Sequence, residues 1–474
     1  MLSKPNLIAL IVASASFIQQ IDSTIVATSL PQMAISLHAN PVALGAAITS
    51  YALSLAVFMP VSGWLADRFG GSLVFRIAIV IFTLGSILCG VSTNITELIA
   101  ARFLQGFGGA MMSPVGRLLV LRASQKSTFI TAMAWLQVPG QLGPVIGLPL
   151  GGFITTYLSW RWNFFINIPI GVLGIVLVSI FIENEPADKS RPFDGVGFAL
   201  SGIALLCIVH GLNLLGAIDG NLYVGAAFLA AGAMFAFFCV RHAAGHAHPL
   251  LDLSLLRIPT FSVNFFAGSL FRYGVDAIPF LLPLLFQLGF GMTAFGSGLL
   301  SLASAVGSVV MRAMAKPVLK RYGFRHVLIV NALISVVTVL VCALYTASTP
   351  ITVIFVTLTI GGFFRALQFV ALNTIAYADV PREKMSAATS FASMIQQLSN
   401  AIGVALAVIF LHVETGFRGI EVPTAFDLRL AFIAMAVISA SSIPSYLALS
   451  RSAGSELSEH RGAKTASAEG QPRA

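Results

Sequence analysis

Long apolar segments alternate with short polar segments along almost the whole chain. About fourteen of them reach the length of roughly 20 residues that an α-helix needs to cross the hydrocarbon core of a bilayer. These predicted spans are residues 6–30, 42–62, 73–92, 97–121, 128–156, 164–182, 196–215, 221–240, 261–288, 295–314, 327–346, 350–376, 386–412 and 428–449. The pattern therefore predicts an all-α membrane protein with about fourteen spans.

Two polar stretches divide the spans into groups of six, two and six. The stretch 183–194 follows the sixth span, and the stretch 241–257 follows the eighth. The polar, small-residue-rich tail is typical of disorder. The predicted regions are an N-terminal six-helix bundle (1–185), two linker transmembrane helices (186–245), a C-terminal six-helix bundle (246–450) and a disordered cytoplasmic tail (451–474).

The two six-span groups carry similar sequences at equivalent places. The run Gln141–Gly147 in the fifth span aligns with Gln397–Gly403 in the thirteenth, and the loop Asp67–Gly70 aligns with Lys320–Gly323. The two offsets, 256 and 253 residues, agree within ordinary loop variation. Because transporters commonly alternate access by rocking internal repeats around a site at mid-membrane, this similarity favours a transporter.

Composition excludes a soluble protein. Of the 474 residues, 57% are hydrophobic and only 9% are charged, which leaves too little polar surface to face water. The formal net charge of +9 does not indicate a nucleic-acid partner, because the basic residues are scattered between the spans and form no stripe.

Most Lys and Arg residues fall in loops on one side of the predicted bilayer. Cytoplasmic loops carry an excess of Lys and Arg, so this side and both termini are assigned to the cytoplasm. The other basic residues are Arg161, Arg418 and Arg429 on the opposite side and Arg102, Arg272 and Arg365 within spans.

Asp22 lies inside the first span, at a depth where an ionised carboxylate costs at least ~3 kcal/mol. Such residues usually mark the path of an ion or a substrate. Asp22 can carry a proton if burial favours its protonated form and opening to water favours its ionised form. The alternative is a structural carboxylate satisfied by Gln19, Ser23 or a neighbouring arginine.

Three arginines within spans are candidates for the same path. Arg102 in the fourth span needs a carboxylate, carbonyls or water around it, unless it snorkels at a helix end. Arg272 and Asp276 stand four residues apart in the ninth span, so they can pair on one helix face. They can line a substrate cavity or form a self-satisfied structural pair. Arg365 has no partner nearby in the sequence and is assigned to the cavity.

Several motifs in these spans resemble the major facilitator superfamily, and within it the fourteen-span drug:proton antiporters. The motifs are Asp22–Pro31 in the first span, Gly63–Gly70 in the loop after the second, Arg102–Gly106 in the fourth, Gly143–Gly152 in the fifth and Trp160–Gly171 at the entry to the sixth. The runs Met111–Leu118 and Pro249–Ser254 resemble the branch of the multidrug-resistance protein MdtD. The resemblance covers residues from about 6 to 450. One departure is Gly71-Ser72, where a basic residue usually follows the second glycine of the loop motif.

The resemblance implies a major facilitator fold of two six-helix bundles with two extra central helices. The charges within spans indicate proton coupling at Asp22 with Arg102, and a substrate cavity at Arg272, Asp276 and Arg365 with the aligned Gln141 and Gln397. The resemblance implies that Arg102 tunes the proton carrier. It also implies a gating loop, formed by Gly63, Asp67, Arg68, Gly70 and Arg76, and an antiporter motif that closes a leak path, formed by Gly143, Pro144, Gly147, Gly151 and Gly152. Ordinary loop solvation and generic helix packing are the alternatives for these two motifs.

We therefore predict a proton-coupled exporter of small, amphiphilic or drug-like compounds in the bacterial inner membrane. Two alternatives stay open: a dedicated exporter of a metabolite, organic acid or metal chelate, and a membrane sensor that does not transport. No nucleotide-binding motif occurs, so energy must come from a gradient, and we expect no enzymatic activity and no cofactor.

The expected partners are the substrate, protons and the lipid bilayer, without nucleic acid, and the expected state is a monomer. A periplasmic adaptor is left open. His242, His246 and His248 cluster in one loop, but their pattern alone does not specify a metal, so no metal site is predicted.

Overall fold

A computed structural model describes residues 4–40, 43–123, 143, 146–183, 192–215, 221–246, 249–381, 384–420, 422–450 and 453 of the chain. Within these residues the fold is helical and contains no strand. The helices are α1 (Lys4–Ile25), α2 (Leu30–Ser36), α3 (Gly45–Phe58), α4 (Ser62–Phe69), α5 (Gly71–Val91), α6 (Ile95–Ala123), α7 (146–157), α8 (Trp162–Phe165), α9 (Asn167–Phe181), α10 (Gly195–Leu215), α11 (Leu222–Gly245), α12 (Pro259–Val275), α13 (Ile278–Leu284), α14 (Ala294–Ala343), α15 (Ile351–Ile375), α16 (Met385–Arg418), α17 (Ala425–Ala440) and α18 (Ile443–Leu447).

Twelve helical stretches in the described residues are long and apolar enough to cross a membrane, and each overlaps a different predicted span. The predicted fourth span forms α6, a helix of 29 residues whose apolar character is reduced by Glu97, Arg102 and Arg117. Most of the predicted fifth span lies outside the described residues, which include only Gly143 and α7 from it. The all-helical membrane fold is thus confirmed, whereas the count of fourteen and the side on which the termini lie stay predictions.

Polar side chains satisfy the backbone where several helices begin. The Thr424 hydroxyl and the Asp427 carboxylate form a capping box at the start of α17. Asn221 caps α11 through its side-chain oxygen, and Thr293 caps α14 in the same way. These caps matter in a bilayer because the first N–H groups of a helix have no backbone partner and hydrocarbon offers none.

We call α1–α9 the first block, α10–α11 the linker pair and α12–α18 the second block. In the first block α6 packs against α1, α3 and α5, and in the second α14 packs against α15 and α17. Helix α3 of the first block packs along α16 of the second, and α10 contacts both of these helices. One apolar core cluster therefore includes residues from all three units, among them Leu53, Val209 and Ile395.

The two aligned loops share an unusual backbone conformation. Gly70, which separates α4 from α5, has φ 90° and ψ 132°. Gly323, at the kink inside α14, has φ 71° and ψ 164°. Residues with a Cβ rarely adopt such angles, so each loop needs a glycine at this point. The shared conformation supports the internal repeat.

Replacement of either of these glycines by alanine should destabilise the protein. We expect Gly70→Ala and Gly323→Ala each to cost ~1–3 kcal/mol, because alanine is strained at a positive φ of this kind. Gly63→Ala is the matched control, since a Cβ built there has no neighbour within 4 Å. Thermal unfolding of the purified variants in detergent checks this. Equal midpoints for all three would contradict it.

Candidate functional site

An ion pair between α1 and α6 lies at the centre of the first block. The Arg102 guanidinium donates through Nη1 to Asp22 Oδ2 at 2.6 Å. Both side chains are enclosed by protein, with 0% of Asp22 and 1% of Arg102 exposed. Arg102 also donates to the Gln105 side-chain oxygen at 2.6 Å, and its planar group lies 4.2 Å from the centre of the Tyr51 ring. Asp22 therefore has a neighbouring arginine, Arg102, as one of the two interpretations of the sequence requires.

Two amides complete the surroundings of the Asp22 carboxylate. Gln105 and Asn167 donate to Asp22 Oδ1 at 2.8 and 2.9 Å. Both amides also donate to the Ser86 hydroxyl, at 3.1 and 2.8 Å, and Ser86 in turn donates to the Phe164 carbonyl. We call Asp22, Ser86, Arg102, Gln105 and Asn167 the polar network.

The polar network joins four helices, because its members come from α1, α5, α6 and α9. Sequence reasoning missed three of them, Ser86, Gln105 and Asn167. Each is an uncharged polar residue inside an apolar span, which is the sequence feature that could have identified them. Gln105 and Asn167 also lie within the motifs on which the resemblance rests. A carboxylate with this many donors is well stabilised while ionised. Protonation would remove the charge that Arg102 binds.

The glycines of the predicted antiporter motif lie against α1, the helix that carries Asp22. A Cβ at Gly143, Gly147 or Gly151 would come within 2.2–2.6 Å of side-chain atoms of α1. For Gly147 the obstructing atom is the Thr24 hydroxyl. Small residues at this spacing allow two helices to approach closely. Pro144 and the predicted cavity residue Gln141 lie outside the described residues.

The last glycine of this motif contacts the other block. A Cβ at Gly152 would lie 2.5 Å from the carbonyl oxygen of Ala294, and a Cβ at Gly298 would lie 2.5 Å from that of Leu148. The Phe295 backbone N–H donates to the Thr156 hydroxyl at 3.0 Å. We call this contact between α7 and the start of α14 the glycine seam.

A cavity of about 670 Å³ lies between the blocks, mainly within the second. Helices α1 and α7 contribute Thr24 and Leu148 to its wall. Its polar lining residues are Thr24, Asp276, Ser301, Ser304, Ser308, Arg365, Asn373 and Gln396. The remaining lining is aliphatic or aromatic, including Leu282 and Phe369. Such a mixture is typical of small-molecule sites, where an apolar wall carries a few polar groups.

Asp276 and Arg365 are the charged groups of this wall. The Arg365 guanidinium donates to the Ser304 hydroxyl. In the described part of the chain the Asp276 side chain makes no hydrogen bond or ion pair. Gln397 is not among the lining residues, and its neighbour Gln396 occupies the wall in its place. The structure thus places two of the predicted cavity residues, Asp276 and Arg365, at one cavity.

The predicted ion pair between Arg272 and Asp276 does not form, and Arg272 does not line the cavity. Arg272 donates to the side-chain oxygens of Asn264 and Asn373, each at 3.1 Å. Helical side chains point toward the N-terminus of their helix, so this arginine reaches back two turns past Gly268. Asp276 lies just beyond the end of α12, as its C-cap residue, and faces the other way into the cavity.

The predicted gating loop connects α4 to α5. Gly70 supplies the turn, and a Cβ added at Gly63 would meet no atom within 4 Å. Arg76 donates through Nε to the carbonyl of Ser72, one helical turn earlier. Arg68 lies at the end of α4. The side chain of Asp67 lies outside the described residues, so the gating role stays a prediction.

Comparison with known sequences gives one family for almost the whole chain. The model of the Major Facilitator Superfamily matches residues 12–268 and 263–471. A protein of Serratia proteamaculans named "Putative multidrug resistance protein MdtD" is 39% identical over 407 residues, which are 85% of this chain and 84% of the relative. A relative of the same name from Escherichia coli O6:H1 is 38% identical over 408 residues, 85% of each chain.

Solved structures share the fold at low sequence identity. The POT family transporter PepTSo superposes with a TM-score of 0.68 at 15% identity, covering 94% of this chain and 99% of that one. A bacterial homologue of the human lysosomal transporter Spinster, in an inward-facing and unoccupied conformation, has a TM-score of 0.67 at 13% identity and covers 94% and 97%.

The glycine seam should open when a methyl group is added to it. At Gly152 the nearest atoms are backbone atoms of α14, which cannot turn aside, and overpacking of this kind costs ~1–3 kcal/mol. We therefore expect Gly152→Ala to lower the cross-linking yield between cysteines placed at Thr156 and Phe295 several-fold. Gly174→Ala is the control, because a Cβ there would meet only an ordinary contact at 3.6 Å. Equal yields in both variants would contradict the tight seam.

Proposed function

Because the chain belongs to the major facilitator superfamily, and is therefore a multi-pass membrane transporter of the bacterial inner membrane, we propose that it couples proton entry to the export of small, amphiphilic compounds. The relatives named for multidrug resistance support drug-like substrates. The proposal depends on one observation. Asp22 forms an enclosed ion pair with Arg102, and the helix that carries Asp22, α1, also contributes to the cavity wall.

Helix α1 links the polar network to the cavity. Asp22 faces the network, whereas Thr24, two residues later, lines the cavity and touches the position of Gly147. A change in the charge of Asp22 therefore acts on a helix that contacts both the substrate space and α7. Since α7 also forms part of the glycine seam, helices α1 and α7 together connect the protonation of Asp22 to the contact between the blocks.

Protonation of Asp22 would break its ion pair with Arg102. Breaking a buried ion pair by neutralising one partner costs several kcal/mol, because the remaining charge has lost its counter-ion. Arg102 would retain the Gln105 oxygen and the Ala47 carbonyl, which lies 3.4 Å from its Nε. We propose that this loss favours a second arrangement of α1 and α6, in which the cavity opens to the other side of the membrane.

One titrating carboxylate is sufficient for useful export. A single charge that moves through 100 mV supplies ~2.3 kcal/mol, which corresponds to about a fifty-fold concentration ratio. In this proposal the two six-helix blocks rock about the cavity, the linker pair joins them, and the loop with Asp67, Arg68 and Gly70 stabilises one of the two states. The termini face the cytoplasm, the transporter is a monomer, and it has no enzymatic activity.

The cavity supports amphiphilic substrates because it combines aliphatic and aromatic walls with one carboxylate and one guanidinium. Asp276, which has no bonded partner in the described chain, suits a cationic group. Arg365 favours a second candidate function, the export of an organic anion or metal chelate. Among the described residues its guanidinium donates a hydrogen bond only to the Ser304 hydroxyl, so it can also bind an anion. The two candidates differ in which charged group dominates binding.

Replacement of Asp22 by asparagine should abolish proton coupling, because the amide cannot bind and release a proton. The measurement uses proteoliposomes that contain a pH-sensitive dye, an imposed proton gradient, and a panel of lipophilic cations and organic anions. We expect substrate-dependent proton flux in the natural protein and only background flux in Asp22→Asn.

Asp252→Asn is the matched control, because it removes a carboxylate paired with Lys384 outside both the network and the cavity. Its flux should equal that of the natural protein. Full coupled flux in Asp22→Asn would refute the role of Asp22. A natural protein that gives no proton flux with any compound would contradict broad proton-coupled export and favour a sensor or a narrow substrate range.

Neutral replacements of the two cavity charges should separate the candidate substrate classes. We expect Asp276→Asn to weaken the transport of cationic compounds at least about tenfold, the equivalent of ~1.4 kcal/mol, with little effect on anions. Arg365→Gln should show the opposite selectivity, so each variant is the control for the other. The measurement is the concentration dependence of transport for matched cations and anions. Equal losses for both classes would contradict direct recognition of charge.

A further inference from the structure

Three side chains of the kinds that bind metal ions lie together at one end of the linker pair. Asp194 immediately precedes α10, while His242 is in the last turn of α11 and His246 is its C-cap residue. The potential ligand atoms of all three lie within 4.8 Å of one another. No residue of the linker pair belongs to the polar network or lines the cavity, so the transport mechanism proposed above does not use this end.

Backbone contacts and a histidine hold Asp194 in place. Its Oδ1 accepts from the Gly197 N–H and from His242 Nε2, each at 2.8 Å, and its Oδ2 accepts from the Leu250 N–H at 2.9 Å. Burial opposes ionisation, but these donors outweigh it and hold the pKa of the Asp194 carboxyl below its usual range. The carboxylate is therefore fixed in position at the start of α10, and carboxylate oxygens are among the ligands of zinc.

The two histidines stand four residues apart and share one face of the helix end. Their rings stack with centres 4.9 Å apart and planes inclined by 25°. His242 is partly buried beside Asp194, whereas His246 is exposed, and its ring has no hydrogen-bond partner among the described residues. Two histidines at this helical spacing are a known arrangement for binding zinc.

We propose that Asp194, His242 and His246 bind one divalent transition-metal ion, with zinc the best match to two imidazoles and one carboxylate. Three protein ligands leave a fourth position for water. In a tetrahedral site with bonds of about 2.0–2.1 Å, neighbouring ligand atoms lie about 3.3 Å apart. His242 Nε2 now lies 2.8 Å from Asp194 Oδ1, about 0.5 Å less than this separation, and His246 is exposed.

A metal ion here would fix the geometry of the linker pair. Asp194 belongs to the start of α10, the histidines belong to the end of α11, and Leu250 begins the segment that leads into α12. One ion would therefore tie together the two ends of the linker pair and the entry to the second block. His248 lies outside the described residues and is not assigned to this site.

Without a metal, the same contacts would form only a cap at the start of α10. The capping interpretation requires Asp194 and His242 but gives no role to His246, which is exposed and makes no polar contact in the described chain. His246→Ala therefore distinguishes the two interpretations and should fold normally. His210→Ala is the matched control, because His210 is an exposed histidine on the same linker pair, packed beside Phe228.

The test is equilibrium dialysis of the full-length protein, purified without a histidine tag, against zinc chloride, with elemental analysis of the bound metal. We expect about one zinc per chain, at least tenfold weaker binding in His246→Ala and Asp194→Asn, and unchanged binding in His210→Ala. Unfolding midpoints measured without metal report whether each variant folds. The natural protein should gain thermal stability with zinc, and His246→Ala should not.

Cobalt(II) provides a second readout, because its visible absorption reports a site of low coordination number with nitrogen and oxygen ligands. Loss of this spectrum in His246→Ala would support the assignment. Absence of stoichiometric zinc binding by the natural protein, or zinc binding that His246→Ala leaves unchanged, would overturn it. Either result would leave the proposed transport function untouched, because that function is measured by proton flux.

Discussion

The ion pair between Asp22 and Arg102 organises the first block, because a bilayer supplies no water to stabilise a charge that lacks a partner. An unpaired carboxylate or guanidinium at this depth would be costly, so the two must meet, and further polar groups must satisfy their remaining donors and acceptors. Ser86, Gln105 and Asn167 do this from three different helices. The relative positions of α1, α5, α6 and α9 are thus determined by polar contacts as well as by apolar packing.

The two blocks have different chemistry despite their related sequences. The first encloses the ion pair of Asp22 with Arg102 completely, whereas the second places Asp276 and Arg365 in the wall of a cavity. The aligned glycines Gly70 and Gly323 show that the repeat extends to backbone conformation. Within the antiporter motif, Gly143-Pro144 has Ser399-Asn400 at the aligned positions of the second block, whereas Gly147 aligns with Gly403, where a Cβ would lie 2.8 Å from the Tyr273 carbonyl oxygen. In the proposed mechanism the first block handles the proton, and the second forms most of the substrate cavity.

The sequence predicted the membrane fold and its most important charges, because both depend on a strong local signal. Asp22 and Arg102 stand out as charges in apolar runs, and their pairing agrees with the need to avoid isolated charge. Asn167 was missed because uncharged polar residues are common in membrane helices. The pairing of Arg272 with Asp276 failed because helix spacing gives proximity but not the direction of each side chain. Asp194 could not be joined to the histidines from sequence, since 48 residues separate it from His242.

The glycine seam has a consequence for how such transporters diverge. Its closest contacts are formed by the main chain, with Gly152 against the carbonyl of Ala294 and Gly298 against that of Leu148. They therefore do not depend on the side chains that line the cavity. Substitutions at the cavity wall can change which compounds are recognised while the surfaces that close the two blocks remain as they are. A lineage can then acquire new substrates through few mutations, with selection acting on recognition and on closure separately.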